Sequence, residues 1–234
     1  MLQKRVAIKA YMFTGIFFLL TLLSACSEAS QKSKTDEQYV SKQTSDKINE
    51  HQKTILFFGN SITAGYGLDP SEAFPSLIQK KIDSMHLHYK CVNAGVSGET
   101  TAGGDARIDW ILKQPVDVFV LELGANDGLR GLPVDGTKRN LQVIIDRVKK
   151  KYPQAKLVLA GMQIPPSMGE QYSLRFKKLF PELAKENDIV LVPFLLQNVG
   201  GIRELNQQDG IHPTAAGARI VAQNVWSVLQ PVLQ

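Results

Sequence analysis

Cysteine occurs only twice in the 234 residues, as Cys26 and Cys91, and histidine only four times. A disulfide-rich scaffold is therefore excluded, and no Cys or His cluster offers the ligands of a metal site. Neither a metal nor an organic cofactor is expected. Long hydrophobic runs are missing as well. The most apolar stretch, Tyr11–Leu23, has thirteen residues, against the roughly twenty that a membrane-spanning helix needs. A strong excess of one charge is also absent, although the formal net charge is +5. Three of the 27 basic residues, Lys4, Arg5 and Lys9, lie in a leading segment, 1–25, that has no Asp or Glu; without it 24 remain against 22 acidic residues, a net of +2. The electrostatic case for a nucleic-acid partner goes with them. What is present is 44% hydrophobic and 21% charged residues with 18 Gly, enough apolar material for a proper core.

The basic first ten residues followed by Tyr11–Leu23 form the n-region and h-region of a secretory signal. The run ends in Leu23-Ser24-Ala25-Cys26, which resembles the lipobox of bacterial lipoproteins. That resemblance implies lipidation of Cys26 after cleavage; the plainer alternative is an ordinary signal peptide followed by an incidental Cys. Several acyl chains on one residue, at about 0.8 kcal/mol per buried CH₂, hold a protein on a membrane. Ser27 in place of Asp leans towards the outer membrane. Lipidation would leave Cys91 without a disulfide partner, and in its apolar setting it reads as a small buried thiol, not a nucleophile. Residues 27–53 carry five basic and five acidic side chains and almost nothing apolar, the composition of a flexible leash. The expected organisation is a lipoprotein signal peptide over 1–25, lipidated Cys26 and linker over 26–53, and one folded domain over 54–234.

That domain alternates short apolar runs with amphipathic segments, the pattern of βαβ units around a parallel sheet. Strands are predicted at Thr54–Phe58, Tyr89–Val92, Val116–Leu123, Lys156–Ala160 and Ile189–Val192. Helices are predicted at Phe74–Met85, Thr101–Lys113, Thr137–Lys151, Gln171–Glu186 and Pro213–Leu229, the last with Pro213 in its first turn. The expected fold class is α/β, a three-layer α/β/α sandwich with a five-stranded parallel sheet. No internal repeat is visible.

In such a sheet, functional groups collect beyond the carboxyl ends of the strands. Four polar turns lie there: Gly59-Asn60-Ser61, Val96-Ser97-Gly98-Glu99-Thr100, Gly124-Ala125-Asn126-Asp127 and Asp209-Gly210-Ile211-His212-Pro213. Each alone has a plain explanation. The Gly-x-Ser turn can be a tight connection, and it lacks the Lys of a phosphate loop. Asn126 can favour a turn, and Asp209 with His212 can be a local pair. Together they hold the parts of acyl transfer. Ser61 supplies a hydroxyl that needs a base, and His212 is the only His in a strand-end turn flanked by a carboxylate. Asp209 can orient the imidazole. Asn126 and Gly98 can offer an amide and a backbone N–H to a developing oxyanion, one such donor being worth roughly 10²–10³ in turnover.

These blocks, with the longer run Leu121-Glu122-Leu123-Gly124-Ala125-Asn126-Asp127-Gly128-Leu129-Arg130-Gly131, resemble the SGNH (GDSL-type) hydrolases over nearly all of 54–234. The likeness is to the branch of the bacterial periplasmic thioesterase/lysophospholipase and related arylesterases. It implies a flavodoxin-like fold with Ser61 as nucleophile, Asp209 and His212 completing the triad, and an oxyanion hole from the Ser61 and Gly98 N–H groups and the Asn126 side chain. Gly98 is preferred over Gly95 because Ser97-Gly98-Glu99-Thr100 carries the branch pattern. The family commonly has Asp where this chain has Asn60, and Asn60→Asp is expected to keep most activity.

The stretch from Met162 to Tyr172 follows the fourth strand and is too irregular for a helix. Met162, Ile164 and Pro165 suit one wall of an acyl pocket, with core packing under a loop as the alternative. The expected function is a serine esterase acting on lysophospholipids or small acyl or aryl esters, with thioesterase side activity. A carbohydrate O-acetyl esterase and a non-catalytic lipoprotein that binds acylated ligands are the other readings. The expected partners are an ester substrate and, through the anchor, an envelope membrane; neither nucleic acid nor an obligate protein partner is expected. Activity should fall in mild acid, because His212 must be neutral to take the Ser61 proton.

Overall fold

The structure, a computed structural model, describes residues 52–234. The expected signal peptide, Cys26 and all but the end of the expected linker lie outside the described residues. Five strands, β1 (Lys53–Gly59), β2 (Tyr89–Gly95), β3 (Val118–Glu122), β4 (Lys156–Ala160) and β5 (Val190–Val192), form one sheet in the order β2-β1-β3-β4-β5. All neighbours pair in parallel. The helices are α1 (Ser61–Ala64), α2 (Phe74–Ser84), α3 (Thr101–Ile111), α4 (Ala125–Leu129), α5 (Val134–Lys151), α6 (Glu170–Asn187) and α7 (Ala215–Leu229). Helices α2 and α7 pack together, while α3 packs on α5 and α5 on α6, giving the expected three layers.

The central strands read as unbroken apolar runs because both of their faces are covered. Phe57 meets Phe74 of α2 edge-on at 5.5 Å, whereas Phe58 lies against Phe119 and under Arg107 of α3. Side chains that alternate across the strand thus enter two separate apolar layers. The chain leaves β1 for β2 on one side and takes up β3 on the other. This reversal opens a crevice at the carboxyl ends of β1 and β3, the place where open α/β sheets bind ligands.

Several boundaries differ from the sequence reading. Strand β3 begins at Val118, not Val116, and just before it the Asp117 carboxylate accepts the Thr54 N–H at 2.7 Å; Val116 is apolar because it packs in the core. Helix α5 starts at Val134, just after Pro133. Helix α7 starts at Ala215, not Pro213: the Thr214 side chain caps it by accepting the Gly217 N–H, and Pro213 bridges to Asn206. The stretch expected to be irregular contains a 3₁₀ turn at Pro166–Met168, and α6 already begins at Glu170.

Candidate active site

The turn after β1 places Ser61. Asn60 caps the short helix α1, its side-chain oxygen accepting the Ile62 N–H at 2.9 Å, and Gly65 closes the helix in the left-handed region at φ 75°. Ser61 is thereby fixed at the first helical position, largely buried beside the crevice. Its hydroxyl lies 2.8 Å from His212 Nε2.

His212 comes from the turn between Asn206 and Pro213. Its Nδ1 lies 2.7 Å from Asp209 Oδ2, while Asp209 Oδ1 accepts the N–H groups of Ile211 and His212 at 3.0 Å each. A carboxylate can only accept, so Nδ1 carries a proton, and in the neutral imidazole Nε2 faces Ser61 as an acceptor. Burial works to raise the Asp209 carboxyl, but the hydrogen bonds from His212 and Ile211 prevail and hold it at about 2. Tyr66 lies over the imidazole with ring centroids 4.6 Å apart. Gln207 ties the two loops together, donating to the Tyr66 and Pro213 carbonyls at 2.7 and 3.0 Å.

Gly98 and Asn126 come from the turns after β2 and β3. Gly98 has φ +80°, a backbone that side chains rarely adopt, and its carbonyl accepts from Arg130 at 3.0 Å. One amide hydrogen of Asn126 goes to the Glu99 carbonyl at 2.9 Å, leaving the second for another acceptor. Gly95, the last residue of β2, already donates its N–H to Asn93 Oδ1. Two buried carboxylates brace these turns. Asp127 accepts from the Thr101 N–H and hydroxyl, joining the start of α4 to the start of α3. Glu99 pairs with Arg107, whose guanidinium also donates to the Ala94 carbonyl.

An apolar cleft of about 370 Å³ opens beside Ser61, Asn126 and His212. Met162, Ile164 and Pro165 line it together with Leu129, Phe194 and Leu196. The remaining site candidate, Cys26, lies outside the described residues. Cys91 stands apart from the cleft, and burial, with Asp83 adding to it, pushes its thiol up to about 12, so it is not a reactive group.

Glu122, Thr63 and Tyr66 also take part in the site, with no motif of their own to mark them. Glu122 ends β3 and is 1% exposed. Its Oε1 accepts from Asn60 Nδ2 at 2.7 Å, and its Oε2 accepts from the Asn60 N–H at 3.1 Å and the Thr63 hydroxyl at 2.7 Å. Burial pushes this carboxyl up to about 7, against the hydrogen bonds from Thr63 and Asn60 that favour its charge. Glu122 did leave one sign in the sequence: it is a charge inside an otherwise apolar strand.

The fold and the converging turns agree with comparisons to known proteins. Residues 57–220 match the GDSL-like lipase/acylhydrolase family. Esterase TesA of Pseudomonas aeruginosa is 38% identical over 182 residues, covering 77% of this chain and 90% of that protein. Thioesterase 1/protease 1/lysophospholipase L1 of Escherichia coli K12 is 37% identical over 181 residues, covering 77% and 85%. The crystal structure of TesA covers 78% of this chain and 100% of its own at a TM-score of 0.73. The chain belongs to the GDSL-like lipase/acylhydrolase family. It is an ester-hydrolysing enzyme.

Proposed function

We propose that the protein is a serine esterase that cleaves acyl esters, lysophospholipids among them, through an acyl-enzyme formed on Ser61. The observation that carries this reading is the hydrogen-bonded chain from Ser61 through His212 to Asp209, set on the wall of an apolar cleft. Ser61 Oγ attacks the acyl carbon while its proton passes to His212 Nε2. The carbonyl oxygen gains negative charge and is met by the Ser61 and Gly98 N–H groups and the Asn126 amide. His212 then returns the proton to the departing alkoxide, and water repeats the sequence to release the carboxylic acid.

The apolar part of the cleft, Met162, Ile164, Pro165 and Phe194, favours an acyl chain over an acetylated sugar, because beyond the catalytic turns only Gln163 and Asn206 bring polar side chains to its lining. Export and an anchor at Cys26 would place the enzyme among membrane lipids and released acyl esters. Acyl-CoA is cytoplasmic, so thioester cleavage is on this reading an activity seen in assays. The test is a panel of p-nitrophenyl esters from acetyl to palmitoyl, with lysophospholipid in micelles and a serine-directed fluorophosphonate probe. Labelling of Ser61 and turnover of lysophospholipid are expected; a wild-type protein that does not label is a binder and not a serine esterase.

The wall itself is expected to set chain-length preference. Met162 and Ile164 are both nearly buried, and their replacement by Ala removes several methylene-sized groups, each worth about 0.8 kcal/mol of apolar contact. The Met162→Ala, Ile164→Ala double variant should move the optimum towards longer acyl chains. An unchanged profile with a lowered melting temperature would mean that the two side chains only pack the core.

A further inference from the structure

We infer that Glu122 and Asn60 act as one donor–acceptor pair that positions Ser61, with Glu122 as the positioning residue and its hydrogen-bond polarity as the working feature. The inference rests on the reading of Ser61 as nucleophile and adds a residue to it. Glu122 does not touch Ser61. It grips the residues on either side, Asn60 by backbone and side chain and Thr63 by its hydroxyl. Asn60 then passes this constraint forward, since its Oδ1 accepts from Ile62 N and lies 3.4 Å from Ser61 Oγ.

A carboxylate suits this place for a countable reason. Three donors converge on its two oxygens, and a carboxylate has lone pairs for all of them and no proton to place. Packing alone does not call for a charge at the end of a buried strand, where an uncompensated one is costly. The backbone has also made room for the contact: a Cβ on Gly59 would stand 2.1 Å from Thr63 Oγ1 and 2.6 Å from Glu122 Oε2. The pair is directional. Asn60 Nδ2 donates and Glu122 Oε1 accepts, so changing either partner alone sets like against like. Glu122→Gln turns one of its two acceptor oxygens into a donor, which then faces either the Asn60 side-chain amide or the Asn60 backbone N–H. Asn60→Asp, mild by sequence alone, brings a second buried carboxylate to within hydrogen-bond distance of the first. Making both changes restores a complementary pair with the roles exchanged, the amide now on β3 donating to the carboxylate now in the nucleophile turn.

The experiment compares wild type, Glu122→Gln, Asn60→Asp and the double exchange, with p-nitrophenyl butyrate and the fluorophosphonate probe at about pH 8, above the Glu122 titration. A displaced nucleophile loses rate without losing substrate affinity, so kcat and the labelling rate of Glu122→Gln should fall about 10- to 100-fold with KM within about twofold. The double exchange should recover to within about fivefold of wild type, a rescue that loss of packing would not produce. If Glu122→Gln does not fold, the double exchange should still fold and label. A Glu122→Gln variant with wild-type rates, or a double exchange no faster than Glu122→Gln, overturns the inference. If wild type itself does not label, the reading of Ser61 fails first, and the two failures are thereby told apart.

Discussion

Ser61→Ala is expected to lower kcat about 10⁴- to 10⁶-fold while the protein stays folded. The size of the loss follows from what remains. Without the hydroxyl no covalent intermediate forms, yet Gly98, Asn126 and the cleft still hold the ester, and they alone leave a residual rate over water. The fold should barely respond. Ser61 gives up one hydrogen bond to His212, worth about 1 kcal/mol, and the imidazole remains fixed by Asp209 and covered by Tyr66. The α1 turn is held independently, by Asn60 on Ile62 and by Glu122 on Asn60. Steady-state turnover of p-nitrophenyl butyrate, fluorophosphonate labelling and a thermal melt decide the matter. A variant that kept a tenth of wild-type turnover would remove Ser61 from the reaction; lost activity accompanied by unfolding would make its role structural.

The parts of the site that sequence exposed are those whose chemistry is local. Asp209 and His212 lie three residues apart, so one turn brings carboxylate and imidazole together, and the structure closes that turn at 2.7 Å. The strands were visible because burial on both faces removes polar residues from them. What stayed hidden depends on chain segments meeting across the sheet. Glu122 is 62 positions from Asn60, and only the parallel pairing of β1 with β3, which sets Gly59 opposite Glu122, turns an odd charge into the floor of the nucleophile turn. Tyr66 reaches His212 in the same manner, across more than half of the folded domain. Helix α4 was missed for another reason: its five residues, Ala-Asn-Asp-Gly-Leu, favour turns over helix, and it forms because Asp127 is tied to Thr101. Pro213 misled because a proline before a helix fits either the first turn or the approach to the cap. The cap of Thr214 on Gly217 settled the choice.

Asp209→Asn carries the other large effect, a fall in kcat of about 10⁴-fold with the turn preserved. The amide oxygen can go on accepting the N–H groups of Ile211 and His212, as Asp209 Oδ1 does now. The amide nitrogen then faces His212 Nδ1 and donates to it. That moves the imidazole proton to Nε2, where it points at Ser61, and the base can no longer take the serine proton. The pH behaviour separates this effect from simple loss of structure. Burial works to raise the Asp209 carboxyl, but hydrogen bonds from His212 and Ile211 depress it from 3.8 to about 2. A depressed carboxyl favours the folded state above its unfolded value, and that contribution fades as pH falls from about 4 to about 2. Asp209 is thus ionised well below neutral pH, and the proton transfer requires a His212 that is neutral when it takes the Ser61 proton. Wild-type kcat/KM should decline in mild acid while stability holds, and Asp209→Asn should be slow at every pH and lose less stability between pH 4 and 2. A wild-type rate that is flat from pH 5 to 8, or a variant within tenfold of wild type, would remove the Asp209–His212 pair from the proton transfer.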